Sequence, residues 1–266
     1  MLFASNSFAQ TVIYKNSFTS SPLDTYTLEQ LNKEWNSPSW DSGIGEGRAT
    51  IVEEENSNKA LEISYRAGHF SNSYTGAQWQ YEFKQYEELY SSYRIKFGKN
   101  FDFVKGGKLP GFAGGTSPTG GADVSGTDGW SGRIMWRSDG RVVQYVYHPD
   151  KPGKYGEDFP WNCSFKPGTW HTIQNRFVMN TPGKYDGIIQ AWFDGKLVLD
   201  KRDMRFRDVD SFGIDLFYFS TFFGGGDDSW STSKDETVMF DDFKFFLLEP
   251  TKNFTKILPA VMYSIF

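Results

Sequence analysis

Tyr145 and Tyr147 alternate with smaller residues in Arg141-Val-Val-Gln-Tyr-Val-Tyr-His148, and Ser131, Arg133 and Met135 alternate likewise in Trp130-Ser-Gly-Arg-Ile-Met-Trp136. Side chains in a strand point to opposite faces in turn, so each set shares one face if its run is extended. Arg137-Ser-Asp-Gly140 between them is a turn signal short enough to fold the runs into an antiparallel hairpin. Two phenols, a guanidinium and a hydroxyl then meet on one patch of sheet. A cation beside a phenol favours the phenolate, lowering its pKa from a reference of ~10, which makes a tyrosine usable as a base. The plainer reading is an aromatic stripe used for packing. Against it, polar groups seldom line a core face unpaired.

Upstream, Lys105-Gly-Gly-Lys-Leu-Pro-Gly111 sets two lysines around a glycine pair. Such a loop lets backbone approach a ligand while a cation points at it. It lacks the spacing of a phosphate-binding loop, and it also fits a solvated turn with two surface lysines. The three histidines, His69, His148 and His171, are too scattered to form a zinc site. His148 has the opposite parity to Tyr147 and is expected to face the other sheet, whereas His69 sits in a polar loop, Ala67 to Gln78, that could reach a site. Asp227 and Asp228 are adjacent acids in a loop, weak grounds for a calcium site. A glycosidase needs two carboxylates across a cleft. The Glu-x-Asp-x-x-Glu pattern that sandwich-type endoglucanases carry on one strand does not occur.

Those residues need a scaffold, and the composition says which kind. Aromatic residues make up 18% of the 266, with 25 Phe, 14 Tyr and 9 Trp beside 27 Gly, which suits strands joined by tight turns. The net charge of −5 argues against a nucleic-acid partner, although a local basic patch can still serve a polyanion. No apolar run approaches the ~18 residues of a membrane span. Cys163 is the single cysteine, so cysteine usage leaves the compartment open. Residues 1–10 resemble the remnant of an export leader, with an apolar stretch and a small-x-small site at Ser7-Phe8-Ala9 but no basic start. A secreted or periplasmic protein is expected on that ground.

Strands are predicted at Thr11 to Phe18, Arg48 to Glu54, Ala60 to Tyr65, Ala77 to Phe83 and Glu88 to Phe97 in the first part of the chain. Further strands follow at Thr169 to Met179, Gly187 to Leu199, Ile214 to Phe222 and Thr237 to Phe246, with a hairpin signal at Asp194-Gly195. One helix is predicted from Tyr26 to Trp35, capped by Thr27, with Leu28, Leu31 and Trp35 on one face. Many strands and almost no helix mean an all-β sandwich. No linker divides it, so residues 11–248 are read as a single domain, followed by a tail, 249–266, with no readable pattern.

The order Lys105-Gly-Gly-Lys-Leu-Pro-Gly111, Ser131-Gly-Arg133, Gln144-Tyr-Val-Tyr-His-Pro149, with Phe219-Ser-Thr-Phe-Phe-Gly-Gly225 and Phe240-Asp-Asp-Phe243, resembles polysaccharide lyase family 14. The resemblance spans residues 45–247. It implies a jelly-roll, concanavalin A-like β-sandwich with a concave substrate cleft. It also implies a lyase that cleaves a uronic-acid polymer, alginate or glucuronan, by β-elimination, with no metal or organic cofactor. The family's cleft-lining lysine, Ser-x-Arg strand and Tyr-x-Tyr strand carry over to Lys108, Ser131, Arg133, Tyr145 and Tyr147. Tyr147 is the first choice for base and Tyr145 the second, with Lys108 or Arg133, aided by Gln78, offsetting the substrate carboxylate. Ser131, Gln78, Lys105 and His69 are assigned to substrate binding, and no catalytic role passes to His69. The expected partner is an acidic polysaccharide, met by a monomer without nucleic acid or membrane. The competing classes are a carbohydrate-binding module or lectin of the same fold and, less favoured, a glycoside hydrolase.

Overall fold

The structure, a computed structural model, describes residues 8–71 and 74–250. Most of the leader and of the C-terminal tail therefore lies outside the described residues, as do two positions of the His69 loop. Phe8, Ala9 and Gln10, placed with the leader above, open the first strand.

The chain forms β1 (Phe8–Asn16), β2 (Asp24–Thr25), helix α1 (Leu28–Glu34), β3 (Asp41–Ser42), β4 (Ala49–Glu53), β5 (Lys59–Tyr65), β6 (Ala77–Tyr86) and β7 (Glu88–Phe97). There follow β8 (Gly106–Gly115), β9 (Gly129–Arg137), β10 (Arg141–Tyr147), β11 (Glu157–Ser164), β12 (His171–Val178), β13 (Gly187–Phe193), β14 (Lys196–Met204), β15 (Ile214–Phe223) and β16 (Glu236–Pro250). A nine-stranded sheet runs β14-β13-β12-β7-β16-β5-β4-β2, with β1 paired to β16. A seven-stranded sheet runs β11-β10-β9-β8-β15-β6-β3. Neighbouring strands pair antiparallel in both, and the two sheets form the predicted sandwich. No helix among the described residues is long and apolar enough to cross a membrane.

Strand alternation fills the space between the sheets. Trp130, Ile134 and Trp136 of β9 and Phe217, Phe219 and Phe223 of β15 are buried against Tyr93 and Phe97 of β7 and Phe240, Phe243 and Phe245 of β16. Trp79 stacks on Phe219 with centroids 3.8 Å apart, and Trp35 meets Trp79 edge-on at 5.3 Å. Helix α1 delivers Trp35. Thr27 and Gln30 form a reciprocal capping box at its start, satisfying two otherwise orphaned N–H groups. Leu31 and Trp35 are buried as expected, but Leu28 is 45% exposed, because the first turn of this two-turn helix stands clear of the sandwich.

Besides the two-residue strands β2 and β3, which the sequence reading does not contain, two longer strands differ from it. The stretch Lys105 to Gly111 is read as a glycine loop, yet from Gly106 it enters β8, between β9 and β15. Glycine and proline weaken a strand, and proline belongs at edges or bulges. Here the ladder with β9 shifts register between Leu109 and Phe112, so Pro110 and Gly111 sit in a bulge. Strand β11 also lacked a signal because Pro160 breaks its pattern; it lies at the sheet edge, where proline is tolerated.

The glycine pair serves packing rather than ligand approach. A Cβ on Gly107 would stand 2.0 Å from the Trp136 ring and 2.4 Å from the Phe222 carbonyl. Gly107→Ala is therefore expected to lower stability by at least ~1–3 kcal/mol, the usual cost of overpacking a core. Chemical denaturation would check it; an unchanged midpoint would show that Trp136 is free to move.

Candidate active site

The β9–β10 hairpin sets Tyr147 opposite Ser131, Tyr145 opposite Arg133 and Val143 opposite Met135. Its turn places Asp139 at φ 60° and Gly140 at φ 71°, the left-handed pair that a tight hairpin needs. On the far side of β9, β8 places Lys108 opposite Met135. The indoles of β9 fill the core, so Ser131, Arg133 and Met135 face outward. Alternation thus collects Lys108, Arg133, Tyr145 and Tyr147 on the outer face of the seven-stranded sheet.

The Lys108 ammonium lies 3.6 Å from the Tyr145 ring centroid and 2.8 Å from the Met135 sulfur. Arg133 donates from its Nη1 to Ser220 Oγ at 3.0 Å, with its guanidinium 5.0 Å from the Tyr218 ring centroid. Ser220 and Tyr218 in turn donate to Gln78 Oε1 at 3.1 and 3.3 Å. Gln78 Nε2 and Arg133 Nε are buried without a partner, leaving two donors unsatisfied at a cost of ~1–3 kcal/mol each. Among the described residues no carboxylate pairs with Lys108 or Arg133, whereas the neighbouring Arg137 is held by Asp158 at 2.9 and 2.6 Å.

Burial pushes the Lys108 amine well below its usual range, and Arg133 and Arg137 push it further. Burial likewise lowers Arg133 from its ordinary value. The Tyr145 phenol moves the opposite way from the sequence expectation. Its burial, and then its bond to Tyr147, raise it, outweighing the lowering by Arg133. Desolvation of the buried phenolate is the largest influence and exceeds the lowering by Gly156 N–H and Arg133.

A strap of residues 116–128 roofs one end of this face. Ser131 Oγ donates to the Pro118 carbonyl at 2.7 Å, and Gln80 Nε2 to Ser117 Oγ at 2.7 Å. From the strap, Gly121 N–H donates to the Tyr147 oxygen at 2.9 Å. Val124 packs on the cluster of Met135, Val143, Tyr145 and Tyr147. The next connection does the same for the other phenol, through Gly156 N–H at 3.1 Å from the Tyr145 oxygen. Tyr147 is only 1% exposed beneath this cover. Ser131 is committed to holding the strap.

The remaining candidates make other contacts. Lys105 is exposed, bonded to Ser229 Oγ at 2.5 Å and 5.9 Å from the Trp230 ring centroid. His69 is exposed, its ring 5.8 Å from that of Tyr74. His148 turns away from Tyr147, as its parity predicts, and bonds Glu157 at 2.7 Å. His171 bonds Asp194 at 2.8 Å.

The family model for polysaccharide lyase 14 matches residues 53–243, a span that holds the whole outward-facing cluster. The chain belongs to polysaccharide lyase family 14. The PL-14 alginate lyase from Aplysia kurodai is 26% identical, with a TM-score of 0.77 over 88% of this chain and 98% of that one. The alginate lyase vAL-1 from Chlorella virus is 21% identical, with a TM-score of 0.71 over 88% and 99% of the two chains. The endo-β-1,4-glucuronan lyase from the fungus Trichoderma reesei shares the fold at 16% identity, with a TM-score of 0.57 over 88% and 95%. No curated protein sequence matches the chain.

The outward-facing network extends beyond the residues that the motifs single out. Tyr218 and Ser220 connect Arg133 to Gln78 through Arg133 Nη1 to Ser220 Oγ and the two hydroxyls to Gln78 Oε1. The available signal is parity, since Phe217 and Phe219 face the core while Tyr218 and Ser220 between them must face out. The strap's main-chain donors carry no sequence signal at all.

Proposed function

We propose that this lyase cleaves a uronic-acid polymer, alginate or glucuronan, by β-elimination at the outer face of the seven-stranded sheet. The observation that carries the reading is that Lys108 and Arg133 are buried together with no carboxylate bonded to either, the nearby Asp158 being held by Arg137, beside two unpaired donors. Burying charge unpaired is costly, so such a pair is suited to an anion that arrives with the substrate. A uronate carboxylate fits: Arg133 Nε and Gln78 Nε2 can bond it, and Lys108 adds charge.

Neutralising that carboxylate acidifies the proton on C5. In the scheme, Tyr147 as phenolate takes the C5 proton. The C–H electron pair forms the C4=C5 double bond, and the C4–O bond breaks with its electrons. Tyr145, kept protonated by burial, gives its proton to the leaving oxygen. The two hydroxyls are 3.5 Å apart, so a proton passing from Tyr147 to Tyr145 resets the pair. Gly121 N–H supports negative charge on Tyr147, as preorganised donors do. The strap lifts to admit the sugar, because Tyr147 is covered without it. Every group in the scheme comes from one chain, so a monomer suffices.

The test is ultraviolet absorbance of the conjugated product ends after mixing the protein with alginate, polymannuronate, polyguluronate and glucuronan. A rise on at least one polymer is expected. Binding without absorbance would replace the proposal with a carbohydrate-binding module, and new reducing ends without unsaturation would replace it with a hydrolase.

A further inference from the structure

Of the nine tryptophans, Trp40 alone is among the exposed large hydrophobic side chains, at 38%. Its indole is partly covered and partly open to solvent beside the sheet edge. Trp40 immediately precedes the edge strand β3, whose Ser42 pairs with Gln78 of β6. It lies two residues before Ser42, so strand parity places it on the same outer face as Gln78. Its ring meets Tyr218 edge-on, centroids 5.9 Å apart at 88°. Tyr218 is the ring beside the Arg133 guanidinium and the donor to Gln78. Trp40 is therefore one aromatic ring away from the buried cations, on the side of the sheet away from Tyr145 and Tyr147.

We infer that Trp40 is a stacking platform for a sugar of the polymer other than the one that reacts. Sugar rings present C–H patches, and the indole face carries the negative side of its quadrupole, so the two stack without charge pairing. The edge-on contact with Tyr218 sets the indole next to the ring that borders Arg133, which makes the occupant a neighbouring unit of the same chain. The inference rests on the uronate-polymer reading of the site. It adds a direction: the polymer extends from the tyrosines across β8 and β15 toward β3.

Trp40 touches none of the reacting groups, so its loss should appear in KM and leave kcat within about twofold. Trp40→Ala should raise KM for long chains roughly three- to tenfold, equivalent to ~0.7–1.4 kcal/mol. The shortest oligomers the enzyme cleaves, too short to span to β3, should show no change. Trp40→Phe should recover most of the affinity, and each protein is assayed well below its own melting temperature, because the edge contact with Tyr218 also contributes to stability. A wild-type enzyme that cleaves a uronate polymer alongside a Trp40→Ala variant with identical KM on long and short chains would overturn the stacking role alone. An equal loss on all lengths, or a fall in kcat, would also overturn it, by placing Trp40 in the reaction or the fold. A wild-type protein that cleaves none of the polymers would instead overturn the reading beneath it.

Discussion

Tyr147→Phe should lower kcat by at least ~10²-fold and up to ~10⁴-fold, the contribution typical of a positioned proton-transfer group. The substitution removes one oxygen and keeps the ring that packs with Met135, Val143 and Tyr145. The Gly121 N–H loses its acceptor, so a modest loss of stability is expected as well. Activity should therefore be measured well below the variant's own melting temperature. Binding of polymer by gel retardation should persist, because the cations and Gln78 are untouched. Residual activity above a tenth of wild type would remove Tyr147 from the role of base.

Lys108→Met is expected to abolish most activity while making the protein more stable. Removing one electrostatic stabiliser of the transition state typically costs ~10²–10³ in kcat. The stability effect has a definite sign. Burial holds the folded-state pKa of Lys108 well below the ordinary 10.5. Between that depressed value and ~10.5 the unfolded chain binds more protons than the folded one, so stability rises with pH across this window. Below it both states hold the proton and the full cost of burying the ammonium is present. Methionine has a similar length and no charge to desolvate. Its melting temperature should exceed that of wild type near neutral pH, and the gap should close as pH climbs toward ~10.5. A variant less stable than wild type at neutral pH would show that the free protein already compensates this charge, weakening the case for an anionic substrate as the missing partner.

These two substitutions also divide what could be read early from what could not. The Tyr-x-Tyr and Ser-x-Arg runs announce their shared faces because strand periodicity is two, and the Arg137 to Gly140 turn fixes the register that places them opposite one another. Lys108 was legible as a residue but not as a position. Its glycine- and proline-rich surroundings read as loop, and only a bulge at Pro110 and the Trp136 ring lying over Gly107 make a strand of them. Both depend on partners distant in sequence.

By itself, then, the sequence determined the sandwich, the hairpin, the outward set of side chains and the family motifs, all of which follow from local alternation and turn chemistry. Tertiary structure alone decided that Lys108 and Arg133 lie buried without acids, that burial raises rather than lowers the Tyr145 pKa, and that Ser131 secures the strap. It also decided that main-chain N–H groups reach both phenols. The reason is physical: desolvation, ion pairing and backbone donors depend on what surrounds an atom in space, and strand parity specifies only the direction in which a side chain points.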